Sequence, residues 1–300
     1  MVSDWRMKWS RVPDEEFRCT LMSMSYAPRA SLLRGFVEHY SQCKGSVGEI
    51  LIVWNGDGVE AIADLASSDR SNGPTVRIRV EHEPSMNNRY KPDPKIAYRG
   101  VLSLDDDLRI PCQSIDKAFA AWKQNKSHLV GWFPRLIESF EHGSSGVYHG
   151  EPEAIEQGRY NLILSGAAFL DSRRYFGMYW AQELEPLREI VNEKLNCDDI
   201  LMNFVVAHSH SQRSSLPVVQ YLRPDSLVDL SHSSGVGISH NEDKFIGAAN
   251  ECIGHFIHFF GNPLRVNTFP KWNTAAPKPI CNPSRSRLFC FYPKESNQNK

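Results

Sequence analysis

The chain has 300 residues, 41% hydrophobic and 23% charged, which is enough apolar material to bury a core in one large domain or two small ones. A formal net charge of −1 and a pI near 6.8 give no field that would draw the whole protein onto nucleic acid or an acidic membrane surface, so nucleic acid is not an expected partner. The apolar stretch Leu162–Leu170 is too short to span a bilayer, and the start, Met1-Val2-Ser3-Asp4-Trp5-Arg6, lacks the apolar core of a secretion signal.

Residues 1–16 are polar and without period and read as a flexible leader; the fold is expected to run from 17 to 273 as one domain. Cys19–Met24 suggests a first strand, and Leu33, Phe36, Val37 and Tyr40 then recur at helical spacing. Glu49–Asn55 is a nearly continuous apolar run, as a strand buried on both faces requires, and Gly56-Asp57-Gly58 stops it. Val76–Val80 alternates like a strand with one wet face. Val101–Leu104 is a short buried strand, followed by an amphipathic helix carrying Ile115, Phe119 and Trp122. Leu129–Phe133 and Tyr160–Leu164 read as further strands, and the glycine-rich segment 140–159 as a loop able to cover a site. Ile200–Ala207 has the length and composition of a helix, opened by acids that suit a helix N-terminus. Residues 274–300, with Pro277, Pro279, Pro283 and Pro293, are expected to be an irregular tail. The order β-α-β-β favours an α/β fold with a mostly parallel sheet and helices on its faces.

Asp105-Asp106-Asp107 closes the strand Val101–Leu104, and ligands of open α/β sheets bind at the carboxyl ends of strands. Two carboxylates about 4 Å apart repel by roughly 4 kcal/mol at an effective dielectric near 20, and a diphosphate beside them worsens the repulsion. A divalent cation reverses the sign. Mg²⁺ or Mn²⁺ takes one or two carboxylates plus phosphate oxygens and water, so a short acidic cluster suffices. The plain alternative is a solvated turn or a helix N-cap. The pair Asp198-Asp199 at the head of a helix has the same alternative, and Arg29, Arg89 and Arg135 taken singly suit surface ion pairs. Seven cysteines form no C-x-x-C pair and are too few for a disulfide scaffold; the odd count leaves at least one thiol unpaired within the chain.

Taken in order, Tyr26-x-x-Arg29, Val53-Trp54-Asn55, Asn87-Asn88-Arg89, Leu104-Asp105-Asp106-Asp107, Gly131-Trp132-Phe133-Pro134-Arg135, Ser165-Gly166-Ala167-Ala168-Phe169 and Asn196-Cys197-Asp198-Asp199-Ile200 with Met202-Asn203-Phe204 resemble the exostosin-type glycosyltransferase domain, family 64. Within it they are similar to the plant enzymes that add a sugar to glycosylinositol phosphorylceramides. The resemblance runs from about Phe17 to Phe269. It implies a GT-A-type mixed, mainly parallel sheet flanked by helices, a nucleotide-sugar donor, Mn²⁺ (or Mg²⁺) and transfer with retention of anomeric configuration. It implies Asp107 as metal ligand, and Arg29, Asn55, Arg89, Asp105, Asp106 and Arg135 around the donor nucleotide. Asp199 takes the catalytic role with Asp198 in support, and Cys197 pairs with Cys252.

A disulfide needs an oxidising compartment, so the resemblance and the sequon Asn125-Lys126-Ser127 both point to the Golgi lumen. The family usually carries an N-terminal membrane anchor; this chain shows none and is expected to be a partial or luminal portion. Homo- or hetero-oligomers with other glycosyltransferases are the implied protein partners. Two positions depart from the family pattern, Pro84 where Asn is frequent and Ala249 where Arg is. The expected activity is transfer of a hexosamine-type sugar from a UDP-sugar to a glycan acceptor, namely the sphingolipid head group. The rival expectation is a donor-impaired homologue that serves as a binding or scaffolding partner of active transferases.

Overall fold

The computed structural model describes residues 17–69, 73–139, 145–211, 214–231 and 242–269, and two strands at 280–284 and 287–291. The expected leader 1–16 and the rest of the tail lie outside the described residues. The first part of the chain forms β1 (Cys19–Ser25), α1 (Ala30–Tyr40), β2 (Val47–Asn55), β3 (Thr75–Glu81) and β4 (Gly100–Leu104). Next come β5 (Leu108–Arg109), α2 (Cys112–Gln124), β6 (Leu129–Gly131), β7 (Pro134–Ser139) and β8 (Gly146–His149). They are followed by α3 (Glu151–Glu156), β9 (Arg159–Tyr160), β10 (Leu162–Ile163) and β11 (Ala167–Asp171). The second half adds α4 (Ser172–Tyr179), α5 (Glu185–Lys194), α6 (Asp198–Ser211), β12 (Val219–Tyr221) and β13 (Ser226–Asp229). It ends with α7 (Glu242–Phe260), β14 (Asn267–Thr268), β15 (Ile280–Ser284) and β16 (Arg287–Phe291).

Seven strands form the main sheet in the order β12-β6-β11-β4-β1-β2-β3. The pairs β1/β2, β2/β3, β1/β4 and β6/β12 are parallel, and β11 runs antiparallel between β4 and β6. This is the mixed, mainly parallel α/β sheet expected of a GT-A-type fold. β2 explains why the sheet is buried on both sides. Its side chains alternate across the pleat, so Leu51 and Val53 enter the core beneath α4–α7 while Ile50, Ile52 and Trp54 enter the one beneath α1 and α2. All of them are fully buried.

α6 is buried around its whole circumference over Ile200–Ala207, with Asn203 as the polar member of that stretch; a helix packed on every side must be largely apolar. It packs on α4 and α7, with Phe204 and Phe256 rings 5.7 Å apart edge to face.

Several segments differ from expectation. The segment 145–159 is not a plain loop: Val147 and Tyr148 lie in β8, Pro152 interrupts nothing because it falls in the first turn of α3, and only 140–144 lie outside the described residues. The region expected to be an irregular tail contains the hairpin β15–β16. β16 pairs with β13, whose other edge takes β5, completing a second sheet in the order β15-β16-β13-β5. Prolines are tolerated at sheet edges, and β15, which holds Pro283, is the edge strand.

Among the described residues two disulfides tie the layers. Cys197–Cys252 joins the head of α6 to α7, the pairing the resemblance implied, and Cys43–Cys112, which the spacing did not suggest, joins the end of α1 to the start of α2. Cys19 is the free cysteine among the described residues; it is fully buried, and that burial raises its thiol pKa far above the ordinary range. Cys43–Cys112 spans 69 residues, so its contribution is to stability. The double substitution Cys43→Ala/Cys112→Ala is expected to cost about 2 to 4 kcal/mol, read as a lower urea midpoint under non-reducing conditions, and an unchanged midpoint would contradict it.

Candidate active site

The adjacent parallel strands β1, β2 and β4 end at one edge of the sheet, and each delivers polar residues there. β1 ends at Ser25 and turns through Tyr26 into Arg29, β2 ends at Asn55, and β4 runs into Asp105-Asp106-Asp107. Because β11 is antiparallel, its beginning lies at the same edge, where Gly166 accepts a hydrogen bond from the Asp105 amide at 2.9 Å. A Cβ on Gly166 would come within 2.8 Å of the Asp105 carboxylate, so the residue must be small for the acidic turn to sit there.

The three aspartates have different partners. Asp106, 2% exposed, accepts from Ser25 Oγ at 2.6 Å and from Arg29 Nε at 3.0 and 3.1 Å through its two oxygens. Arg29 reaches on to Asp107 Oδ2 at 2.7 Å. Asp105 pairs with Arg89, Nη2 to Oδ1 at 2.7 Å, and the same guanidinium reaches Asp198 Oδ2 through Nε at 3.1 Å. Burial, then the charges of Asp105 and Asp106, push the Asp107 carboxyl up to about 7 against the opposing pull of Arg29. The turn therefore holds more negative charge than its arginines neutralise.

Asp198 and Asp199 enter from the first turn of α6. The preceding linker is tightly wound, with Leu195 at φ 50° and Cys197 at φ 76°, both in the left-handed region that costs a non-glycine residue about 1 to 2 kcal/mol. The disulfide to Cys252 fixes Cys197 in place. Asn203, 1% exposed, locks the helix to β10: its side chain accepts from Ile163 N–H at 3.2 Å, donates to Ile163 C=O at 2.8 Å and donates to Asp199 C=O at 2.8 Å. Ser165 Oγ also reaches the Asp199 carbonyl at 3.3 Å and lies 2.6 Å from the buried Tyr90 hydroxyl. Burial, then the charge of Asp198, push the Asp199 carboxyl up to about 7, while the Ile200 N–H on Asp199 Oδ1 at 2.8 Å and the charge of Arg89 work the other way.

Arg135 comes from β7. Its Nε donates to Tyr148 Oη at 3.0 Å, its Nη1 lies 3.9 Å from Glu151 Oε2, and its guanidinium stands 5.9 Å from the Phe133 ring centre. Glu151 is pushed up to about 7 by burial, with Arg135 opposing. Asn55 is fully engaged by the next turn, donating to Ser85 C=O at 3.0 Å and accepting from Ser85 N–H at 3.2 Å and Asn88 Nδ2 at 2.7 Å. It therefore braces the Asn87-Asn88-Arg89 segment as well as facing the cavity.

All nine residues singled out as donor, metal or catalytic candidates, namely Arg29, Asn55, Arg89, Asp105, Asp106, Asp107, Arg135, Asp198 and Asp199, line one cavity of about 380 Å³. The sequence reading missed Leu195 and Phe245 on its wall, and Tyr148 and Glu151 behind Arg135. Tyr148 and Glu151 had a usable signal, an aromatic two residues before Gly150 and an acid directly after it, in a segment suspected of covering a site. Pro84 instead lines a neighbouring depression with Ser85 and Asn88, and Ala249 is fully buried in the apolar core.

Among the described residues no three acidic, histidine or cysteine side chains converge into a complete metal cage. The donor set nevertheless fits a cation shared with a ligand. Six aspartates and three arginines line the cavity, and among the described residues one oxygen each of Asp105 and Asp107 has no hydrogen-bond partner. Hard carboxylate oxygens in excess of positive charge suit Mg²⁺ or Mn²⁺ completed by phosphate oxygens.

Comparison with known proteins agrees with this arrangement. Residues 19–271 match the glycosyl transferase family 64 domain. Over 242 residues the chain is 40% identical to glucosamine inositolphosphorylceramide transferase 1 of Oryza sativa subsp. indica, covering 81% of this chain and 31% of that protein. It is 37% identical over 244 residues to the Arabidopsis thaliana protein of the same name, covering 81% of this chain and 30% of that one. With exostosin-like 2 of Mus musculus it shares 29% identity over 257 residues, 83% of this chain and 74% of that protein. The chain thus spans about a third of the length of the rice and Arabidopsis relatives. With the family domain matched across most of its length and the family's acidic motifs gathered at one sheet edge, this chain belongs to glycosyl transferase family 64.

Proposed function

We propose that this protein is a metal-dependent, retaining glycosyltransferase that moves a hexosamine-type sugar from a UDP-sugar to the head group of a glycosylinositol phosphorylceramide. The observation that carries the reading is the convergence of three arginines and six aspartates on one cavity at the strand ends. Two relatives named as glucosamine inositolphosphorylceramide transferases support the choice of sugar and acceptor. The two disulfides accord with an oxidising lumen such as the Golgi; among the described residues no helix is long and apolar enough to cross a membrane.

In this reading Asp107 and Asp105 hold Mn²⁺, which when bound offsets the charge that builds on the departing diphosphate. Arg135 presents its guanidinium to phosphate, a geometry Arg supplies and Lys does not, while Arg89, bonded to Asp105, Asp198 and Ser103, holds the acids in place. Arg29 is held in register by Asp106, which leaves that aspartate a bracing part. Cleavage of the bond from the anomeric carbon to phosphate oxygen leaves the electron pair on the diphosphate and positive charge on the sugar. The Asp199 carboxylate faces that developing charge from the head of α6, and Asp198 is committed to Arg89.

A second reading is favoured by Pro84 and Ala249, which stand where the family pattern has Asn and Arg: a homologue with weakened donor binding that serves as a partner of active transferases. Titration of UDP with and without Mn²⁺ separates the two, and a screen of UDP-hexosamines against GDP-mannose for Mn²⁺-dependent hydrolysis then identifies the donor. Absence of Mn²⁺-dependent UDP binding would leave only the partner reading.

Asp107→Ala is expected to weaken Mn²⁺-dependent UDP binding by about 10- to 100-fold. Asp199→Asn keeps that binding and lowers kcat by about 100- to 1,000-fold; full activity in both variants would remove the assignment. The same substitution has a stability signature. A carboxyl raised from its ordinary 3.8 to about 7 binds its proton more tightly folded than unfolded, so it costs stability progressively as pH rises through that window. Asp199→Asn is therefore expected to stabilise the metal-free protein by about 1 to 3 kcal/mol at pH 8, with the gain vanishing near pH 4. A gain that is equal at both pH values, or a loss at pH 8, would contradict it.

A further inference from the structure

α5 ends in a Schellman-type turn. The Leu195 N–H bonds back to Asn192 C=O and the Asn196 N–H to Val191 C=O, both at 3.3 Å, with Leu195 itself left-handed at φ 50° and ψ 39°. In turns of this kind that position is usually filled by glycine, because a Cβ is strained there. This chain has leucine instead. Its side chain does not recover the strain by burial, since Leu195 is 58% exposed. A residue that breaks two local rules together, large and apolar on the surface and left-handed without being glycine, marks a site where something other than folding is served.

The location supplies the reason. Leu195 lines the cavity next to Asn196, Asp198 and Asp199, and Phe245 from α7 lines the same side. Asn196 Nδ2 approaches the Phe245 carbonyl at 3.5 Å, tying that wall together, and the Phe245 ring packs edge to face on Tyr148, 6.3 Å between centres, which in turn bonds Arg135. The acidic turn and the arginines Arg29 and Arg89 stand at the strand ends, while the apolar wall stands beside the head of α6. A pyranose has one polar rim and one face of C–H groups, and the latter needs an apolar partner that excludes water.

We infer that Leu195, with Phe245, forms the apolar wall against which the C–H face of the acceptor sugar packs beside Asp199, and that Leu195 is a specificity-determining residue for the acceptor. This rests on the transferase reading given above.

The test uses the full chain with Leu195→Gly, which relieves the backbone strain while deleting the side chain, and Leu195→Met, which keeps an apolar side chain. Thermal unfolding, donor KM in Mn²⁺ with UDP-hexosamine, acceptor KM with inositol phosphorylceramide bearing glucuronic acid in detergent micelles, and calorimetric titration of the free glucuronosyl-inositol head group are measured for each. Leu195→Gly is expected to melt within about 2 °C of the parent or above it. Its acceptor KM and head-group Kd should rise about tenfold, several times more than any change in donor KM, and Leu195→Met should restore both to within about twofold. An unchanged acceptor KM and head-group Kd in Leu195→Gly, or a donor KM that rises as much as the acceptor KM, overturns the inference. A parent protein with no Mn²⁺-dependent donor binding but with head-group binding weakened by Leu195→Gly would sink the transferase reading and leave the apolar wall standing.

Discussion

The site is organised around one buried guanidinium. Arg89, 6% exposed, joins Asp105 at the end of β4 to Asp198 at the head of α6, so the sheet edge and the second-half helices share a single charge. Burial works against that charge, but the two aspartates outweigh it and hold the arginine protonated more firmly than in water. Removing one member of such a buried set leaves its partners uncompensated, at a cost of about 3 to 5 kcal/mol. The surrounding hydrogen bonds follow from this constraint: Ser103 Oγ accepts from Arg89 Nη1 at 3.3 Å, and Asn55 bonds the Asn88 side chain next to it.

Around that centre, charge is distributed unevenly. Arg29 is nearly spent on Asp106 and Asp107, whereas Arg135 has a phenol and a carboxyl pushed up to about 7 for neighbours. The turn and the head of α6 each keep an acid, Asp107 and Asp199, whose burial disfavours ionisation. A cavity lined by six aspartates and three arginines holds acid in excess of base, and in the proposed reading a cation with an activated sugar phosphate is the occupant that balances it.

Much of this was legible in the chain itself. Glu49–Asn55 and Val101–Leu104 are almost continuously apolar because both faces of the sheet are covered, and the three aspartates follow directly on a strand end. The helices α4, α5 and α7 were not read from the chain. α4 is only eight residues and α7 carries Gly247 and Gly254 in its body, so local propensity there is weak and tertiary packing supplies the rest, whereas α5 has Pro186 in its first turn among good helix formers, a signal that went unread. Cys43–Cys112 was invisible for a different reason: the two cysteines are 69 residues apart and meet only because α1 and α2 share one face of the sheet. The hairpin β15–β16 was masked by Pro283 and the prolines around it in sequence, since Pro283 suits an edge strand as well as an irregular segment.

That hairpin bears on the chemistry from a distance. β16 borders β13, β13 borders β5, and β5 begins immediately after Asp107, whose carbonyl also accepts the Leu230 N–H at 2.9 Å. Residues beyond the boundary of the matched family domain at 271 therefore buttress the acidic turn from behind. Trimming the protein to its family boundary would strip two of the four strands from that buttress, and the damage would register in the slackened geometry of the acidic turn, far from the cut.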